Sequence, residues 1–332
     1  MVVSVPSWVS VHWLRDHLDD PGVAIADCRF ALADPALGAS QYAAAHIPGA
    51  IHFDLNRDLS APVEKHGGRH PLPDPQALAQ RLAAAGISTE TPTTLATWVV
   101  VYDDSRLGVA SRLWWLLRWL GHERVSILDG GWAAWNAAGY PTTTETTWPQ
   151  PGVFCATPRM EWVAGLEEVR SPLPASLLID SREGARYRGE QEPIDPVAGH
   201  IPGAVNYPWQ GVTDEQGYVR SPAEQRQRWA DLAADLEQTD RNDAERRAIV
   251  YCGSGVTACV NLFSMHLAGF SPARIYAGSW SDWCSYPELP IATGADPGRL
   301  DGVAPVSHKA IDTAADIAQD IPTAPDGSSN PD

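Results

Sequence analysis

Lysine is almost absent from the sequence, because only Lys65 and Lys309 occur among its 332 residues. Arginine therefore carries nearly all of the positive charge, and the formal net charge is −17. Nucleic acids and anionic membranes bind to basic surfaces, so this composition disfavours both as partners. We expect a small anionic substrate to be held by arginine side chains or by backbone N–H groups.

Long apolar runs are also missing. The longest candidate, LWWLLRWLG at 113–121, is interrupted by Arg118 and is much shorter than the roughly 18 residues that span a membrane. The first residues, MVVSVPSWVSVHWL, have neither the basic start nor the apolar core of a signal peptide. We therefore expect a cytoplasmic protein that does not enter a membrane.

Close cysteine pairs are lacking as well. The cysteines are odd in number and irregularly spaced, with no C-x-x-C motif and no Cys/His pair at ligand spacing. This pattern disfavours a disulfide framework and a zinc site. We expect no metal ion and no cofactor, and any one cysteine is by default a small buried residue. The five are Cys28, Cys155, Cys252, Cys259 and Cys284.

The chain contains an internal duplication. AHIPGAIHFD at 45–54 matches GHIPGAVNYP at 199–208, and VVVYDDSRLGVASRL at 99–113 matches AIVYCGSGVTACVNL at 248–262. Four such blocks recur in one order at an offset of roughly 150 residues, which indicates a tandem repeat of whole domains. That period is far too long for a solenoid, whose repeats have about 20–45 residues.

Each half alternates β-rich runs with helical stretches such as DPQALAQRLAAAG. This alternation predicts α/β domains in which helices cover both faces of a parallel sheet, with the functional site at the carboxyl ends of the strands. The predicted strands are 23–27, 98–102 and 125–128, then 177–180, 248–252 and 273–276. We predict a first domain at 8–143, a linker at 144–160, a second domain at 161–296 and an acidic, mostly disordered tail at 297–332 with room for a short helix at 308–319.

The stretch VYCGSGVTAC at 250–259 carries the clearest chemical signal. A strand delivers Cys252 to the sheet edge, and Gly253 and Gly255 allow a tight turn into a helix. Such a turn directs several N–H groups inward, and the helix dipole adds positive potential. Both effects stabilise a thiolate, which makes Cys252 a candidate nucleophile.

The first half provides an internal comparison, because Asp103 stands where the second half has Cys252. We therefore expect one catalytic and one supporting domain. Cys252 could instead be a buried strand-end residue, or the nucleophile of a phosphatase or arsenate reductase. That chemistry clamps phosphate with an arginine six residues after the cysteine, whereas this sequence has Ala258. A non-catalytic binding module would have lost the nucleophile in both halves.

The sequence resembles the tandem-domain rhodanese family of sulfurtransferases. The resemblance covers about 8–296 and rests on both HIPGA blocks, GGRHPLP at 67–73, RYRGEQEPIDPVAGHIPGA at 186–204 and the loop CGSGVTA. It implies two rhodanese-like domains and a ping-pong cycle. In that cycle Cys252 takes a sulfane sulfur from a small anionic donor as a persulfide, and passes it to cyanide or a thiol.

The neutral loop resembles the 3-mercaptopyruvate branch of this family, because thiosulfate enzymes tend to carry basic residues there. In that branch the loop serine, here Ser254, works with a histidine and an aspartate of the first domain. His70 matches the histidine, whereas the aspartate aligns with Asn56, which Asp54 and Asp58 flank. Thiosulfate remains the alternative donor.

Arg186 matches one carboxylate-binding arginine of the mercaptopyruvate branch. The other falls at Asp195, of opposite charge, and Arg188 is either a substitute for it or a partner of the nearby glutamates. His46 and His200, each before IPGA, are expected to be structural, and we expect a monomer. The resulting site comprises Cys252, Ser254 and His70 as catalytic residues, with Arg186, Gly253, Gly255, Val256 and Thr257 as substrate- or persulfide-binding residues.

Overall fold

The computed structural model describes residues 5–91, 95–171, 177–233, 248–270 and 272–299. The helix predicted at 308–319 and nearly all of the predicted tail lie outside the described residues.

The first half folds into a wholly parallel five-stranded sheet. Its strands are β1 (Trp8–Val9), β2 (Val23–Asp27), β3 (Ala50–His52), β4 (Trp98–Tyr102) and β5 (Val125–Leu128). They lie in the order β1-β5-β4-β2-β3. The helices of this half are α1 (Val11–Asp16), α2 (Leu37–Ala44), α3 (Pro75–Ala84), α4 (Ala110–Trp119) and α5 (Gly131–Ala137). All three predicted strands of this half are confirmed.

The second half repeats this plan with four described strands. They are β6 (Leu178–Asp180), β7 (Ala204–Asn206), β8 (Ile249–Tyr251) and β9 (Arg274–Ile275). Their order, β7-β6-β8-β9, is the order of β3-β2-β4-β5, and all pairs are parallel. The helices are α6 (Leu166–Arg170), α7 (Gly184–Tyr187), α8 (Pro222–Arg228), α9 (Ala258–Leu267) and α10 (Ser279–Trp283), with 3-10 turns at Met160–Trp162, Trp209–Val212 and Ala230–Leu232. The identical strand order confirms the duplication.

Three apolar clusters cover the faces of the two sheets. The largest runs without a break through both halves, and the other two lie on the remaining faces, one in each half. In the shared cluster α4 packs against α9, where the rings of Trp114 and Phe263 meet edge to face at 5.1 Å. Helices therefore cover both faces of each sheet, as predicted, and the tryptophan-rich helix faces the other domain.

Equivalent buried ion pairs lie at the carboxyl ends of the central strands β2 and β6. Asp27 pairs with the buried Arg29, and Asp180 pairs in the same way with Arg182. The two HIPGA histidines are fully buried, and the Nδ1 of each is hydrogen-bonded to a backbone carbonyl, of Tyr42 or Tyr187. The contacts of His46 and His200 are thus those of structural braces.

The segment 144–160 runs along the first domain. Gly152 donates its N–H to Ala83 O at 2.8 Å, and Thr157 donates to Leu120 O at 2.9 Å. No helix in the described ranges is long and apolar enough to cross a bilayer.

Candidate active site

Cys252 directly follows β8, at the carboxyl end of a central strand, and is 1% exposed. Its Sγ accepts a hydrogen bond from the N–H of Gly255 at 3.1 Å. Gly255 has a φ of 76°, and a Cβ there would lie 2.4 Å from the carbonyl oxygen of Ala277. Glycine is therefore required at this position both by the backbone angle and by the close approach of the neighbouring chain.

The start of α10 fixes the backbone of residues 252–257, called the nucleophile loop after the candidate nucleophile Cys252. Cys252 donates its N–H to Ser279 Oγ at 3.1 Å, and its carbonyl accepts from Trp280 N at 3.0 Å. Ser279 has a φ of 57°, which is uncommon for a residue other than glycine. Sequence reasoning missed Ser279, although the first half has Gly131 at the corresponding place.

Most N–H groups of the nucleophile loop have no acceptor within the described part of the chain; they belong to Gly253, Ser254, Val256 and Thr257. In the corresponding loop of the first domain, one carboxylate satisfies the N–H groups. Asp103 accepts from the N–H of Ser105, Leu107, Val109 and Ala110 at 2.8–3.1 Å and from Ser105 Oγ. The duplicated loop is therefore an anion cradle, and the first domain fills it with its own side chain.

Ser254 Oγ is hydrogen-bonded to Nδ1 of His70 at 2.7 Å, and both side chains are buried. Burial, with smaller contributions from the cations of Arg112 and Arg69, lowers the pKa of His70 to about 3. The imidazole is therefore neutral at physiological pH, and a neutral imidazole can either accept or donate a proton. The two residues come from different domains, so the pair forms only when the domains are docked.

The aspartate expected beside His70 is not found. Asn56 is exposed, and its N–H donates to Asp54 Oδ1. Asp58 is paired with Arg57 and Arg81. Within the described residues no carboxylate is hydrogen-bonded to His70, so neither flanking aspartate substitutes for the missing one.

Arg186 lies beside the nucleophile loop, together with a second guanidinium that sequence reasoning missed. A Cβ on Gly253 would lie 3.1 Å from Arg69 Nη2 and 3.5 Å from Arg186 Nη2. Asp195 is ion-paired with both arginines, and Arg186 also pairs with Glu192 at 2.8 Å. Arg69 lies in the GGRHPLP motif, directly before His70, so the motif itself was the available signal.

Arg188 is ion-paired with a glutamate outside this cluster. Its Nε donates to the exposed Glu190 at 2.7 Å. The alternative in which it pairs with a neighbouring glutamate is therefore the one observed.

Arg112 of α4 braces the loop from the first domain and is fully buried. It donates to the carbonyls of Gly255 at 3.1 Å and His70 at 3.1 Å. Burial lowers the pKa of this guanidinium. Cys259 also donates its S–H to the Gly255 carbonyl, and burial raises the pKa of this thiol to about 12, so Cys259 has the properties of a core residue.

The fold and the loop define a class of protein: a two-domain α/β protein in which a buried cysteine follows a central strand and accepts a hydrogen bond from an N–H group of the next turn. In the described ranges no group of three or more histidine, cysteine or acidic side chains is placed to hold a metal ion.

Comparison with known proteins agrees with this class. The family model for the rhodanese-like domain matches twice, at residues 10–138 and 165–286. A probable 3-mercaptopyruvate sulfurtransferase of Pseudomonas aeruginosa is 45% identical over 85% of this chain and 96% of its own. A thiosulfate sulfurtransferase of Rattus norvegicus is 34% identical over 86% and 95%. The structure of a 3-mercaptopyruvate sulfurtransferase from Leishmania major superposes with a TM-score of 0.68 at 30% identity, covering 83% of this chain and 74% of that one.

The chain therefore belongs to the rhodanese-like domain family and is a two-domain sulfurtransferase.

Proposed function

We propose that this enzyme moves a sulfur atom from 3-mercaptopyruvate to a thiol or to cyanide through a persulfide on Cys252. The observation that carries the proposal is the cradle. The N–H of Gly255 donates to the thiol of Cys252, and four further N–H groups of this loop have no acceptor in the described part of the chain, while the same loop in the first domain holds the carboxylate of Asp103. A persulfide anion on Cys252 would take these hydrogen bonds.

The first half-reaction forms one bond and breaks one. The Cys252 thiolate attacks the sulfur of the donor, an S–S bond forms, and the C–S bond breaks. Its electron pair stays on the donor carbon as the enolate of pyruvate. The proton of the donor thiol is transferred to that carbon, so pyruvate leaves and the enzyme keeps a persulfide anion.

Ser254 and His70 are suited to stabilise the enolate and to move that proton. The hydroxyl of Ser254 lies two residues after Cys252 in sequence and is hydrogen-bonded to a neutral imidazole. A positioned acid–base pair of this kind contributes about 100-fold to 10,000-fold in rate. The missing carboxylate leaves the imidazole without an anionic partner, which favours its neutral form before and after each proton transfer.

The second half-reaction returns the enzyme to its starting state. An acceptor nucleophile attacks the outer sulfur of the persulfide, the S–S bond breaks, and its electron pair returns to Cys252 as thiolate. With cyanide the product is thiocyanate, and with a thiol it is a new persulfide.

Thiosulfate is the second candidate donor, supported by the name of the rat relative. Two observations favour mercaptopyruvate. The nucleophile loop contains no basic residue, and the charges of Arg69 and Arg186 are balanced by Asp195 and Glu192. Because the positive charges of this cluster are already neutralised by carboxylates, desolvating a singly charged donor there costs less free energy than desolvating the doubly charged thiosulfate.

All five cysteines are unpaired, which supports a reducing compartment such as the cytoplasm. The apolar face of α4 is covered by α9 of the same chain, which supports a monomer.

The test measures thiocyanate formation with each donor, for the wild type and for Cys252→Ser. Intact-protein mass spectrometry after donor treatment should show one added sulfur on the wild type and none on the variant. Cys259→Ser is the matched control, because its thiol is buried seven residues further along the same segment. Equal turnover by wild type and Cys252→Ser would overturn the mechanism, and a much higher kcat/KM with thiosulfate would overturn the choice of donor.

A further inference from the structure

Arg69 has unused hydrogen-bonding capacity at the edge of the nucleophile loop. Its side chain is 26% exposed, and only Nη1 is paired, with Asp195. Its Nε is buried without a hydrogen-bond partner, and Nη2 has no acceptor within the described part of the chain. An arginine presents Nε and Nη2 as a fork that matches the two oxygens of a carboxylate.

One end of this fork, Nη2, lies at the place where the donor must bind. The Nη2 of Arg69 would lie 3.1 Å from a Cβ on Gly253, the residue directly after Cys252. The guanidinium of Arg186 approaches the same point from the second domain. A side chain at position 253 would therefore separate both cations from the loop.

The main chain around Arg69 is fixed on both sides. Gly67 donates its N–H to Asp282 Oδ1 at 2.7 Å, and Arg69 donates its own to Ser281 Oγ at 3.1 Å. Gly68 is packed so closely that a Cβ would lie 2.3 Å from the carbonyl oxygen of Gly278. The first-domain segment that carries Arg69 is thus held in register against α10 of the second domain.

Asp195 connects the two cations. It is 7% exposed and accepts from Arg186 Nη2 at 3.0 Å as well as from Arg69 Nη1. This carboxylate stands at the position where the resemblance to the mercaptopyruvate branch would place the second arginine. It cannot bind an anionic donor, but it can orient both guanidinium groups toward one.

We propose that Arg69 is the second donor-binding arginine of this enzyme, and that its Nε and Nη2 receive the donor carboxylate next to Arg186. Asp195 is then a positioning residue that holds both cations. This inference rests on the proposed function. It adds that Arg69 of the first domain completes the donor site around Cys252 of the second domain.

The test compares two donors, with and without a carboxylate, on enzyme variants with and without the guanidinium of Arg69. The variants are Arg69→Met, Arg69→Lys and the control Arg188→Met, and the donors are 3-mercaptopyruvate and 1-mercaptopropan-2-one, which lacks the carboxylate. We expect Arg69→Met to lower kcat/KM for mercaptopyruvate by about 10- to 100-fold, mostly through KM, as for a lost charged hydrogen bond. It should change kcat/KM for mercaptopropanone less than about threefold, because that donor makes no ion pair.

Arg69→Lys should give an intermediate loss, because it keeps the charge without the fork. Arg188→Met should leave both donors unaffected. Equal losses with both donors would mean that Arg69 only supports the fold, and no loss would remove it from the donor site. Either result overturns the inference.

A second readout does not depend on turnover. Pyruvate, which carries the same carboxylate, should protect Cys252 of the wild type from alkylation and should protect Arg69→Met at least tenfold less well. Equal protection would overturn the role of Arg69. If the wild type gains no sulfur from mercaptopyruvate, the proposed function fails, while the protection assay still decides whether Arg69 binds carboxylates.

Discussion

Ser254 Oγ and His70 Nδ1 are 2.7 Å apart across the boundary between the two domains. The Phe30 ring lies perpendicular to the imidazole, with the ring centroids 6.5 Å apart. The guanidinium of Arg112 donates to the carbonyls of both Gly255 and His70. These contacts hold the backbones on either side of the Ser254–His70 hydrogen bond, and such positioning is what a proton-transfer pair requires.

Removing either member of this pair should slow the transfer of sulfur from the donor to Cys252, but it should not slow the transfer of sulfur from Cys252 to the acceptor. We expect Ser254→Ala and His70→Asn to lower the rate of persulfide formation from mercaptopyruvate by about 100-fold or more. Single-turnover mass spectrometry measures this step. Cyanide should discharge a persulfide preloaded with polysulfide at nearly the wild-type rate, because no enolate forms in that step.

Thr257→Val is the matched control for this prediction. It removes another hydroxyl of the nucleophile loop and keeps the backbone N–H of residue 257. A loss as large as that of Ser254→Ala would argue against a specific role of the Ser254–His70 pair.

Buried histidines should make the fold sensitive to mild acid. Burial is the largest cause that lowers the pKa of His70 to about 3 and of His122 and His266 to about 4. The unfolded chain binds protons at these histidines below about pH 6.5, while the folded chain does not. The free energy of unfolding should be highest above pH 6.5 and should fall between pH 6.5 and 5, by up to about 1.4 kcal/mol per pH unit for each histidine.

Urea unfolding at a series of pH values measures this slope. His122→Gln should reduce this slope by about one quarter to one third, because burial also lowers the pKa of His200 and one of four such histidines is removed. An unfolding free energy that does not change across this range would contradict the prediction.

Ser279 combines a strained backbone with a hydrogen bond to the nucleophile. Ser279→Gly keeps the positive φ and loses the hydroxyl that accepts the N–H of Cys252, whereas Ser279→Ala loses the hydroxyl and keeps the strain. We expect both to slow persulfide formation and Ser279→Ala to be less stable than Ser279→Gly by about 1 kcal/mol. Thermal unfolding and single-turnover rates check the two effects separately.

Gly131 provides the comparison in the first domain, because its place in the sequence repeat is that of Ser279. A Cβ there would lie 2.3 Å from the carbonyl oxygen of Asp103. Gly131→Ala should therefore lower the free energy of unfolding, but it should leave the rate of persulfide formation unchanged. Equal stability of the two Ser279 variants would contradict the assigned strain.

Asp103 should matter for stability rather than for chemistry. Its buried carboxylate accepts hydrogen bonds from four backbone N–H groups. Asp103→Ala leaves them without an acceptor, so we expect a loss of about 3 kcal/mol or more in the free energy of unfolding. The kcat of the folded fraction should change little. A folded, stable variant with low activity would instead show that the first loop takes part in turnover.

The fold class and the duplication could be predicted, because the repeat and the alternation of strands and helices are visible along the sequence, whereas the short strands β1, β3 and β7 were not predicted. The strands at 23–27, 98–102 and 125–128 have the predicted bounds. The resemblance also led to Cys252, Ser254 and His70, whose mutual distances depend on the fold that the family shares.

The polar contacts around the donor site could not be predicted in the same way. Arg69 and Asp195 are far apart in sequence and meet only across the domain boundary. Ser279 looks like an ordinary helix-start serine until its φ is known. Asn56 aligned with a catalytic aspartate, but its side chain is exposed and its N–H bonds to Asp54, which sequence alone does not reveal.

The carboxylate of Asp103 shows how the two loops differ in the proposed cycle. The first loop holds its carboxylate permanently, as part of the polypeptide. In the second loop the negative charge would move outward from Sγ of the Cys252 thiolate to the outer sulfur of the persulfide, and return when that sulfur departs. The outer sulfur is as many bonds from Cβ as a carboxylate oxygen of Asp103, so the two loops would resemble each other most in the persulfide intermediate.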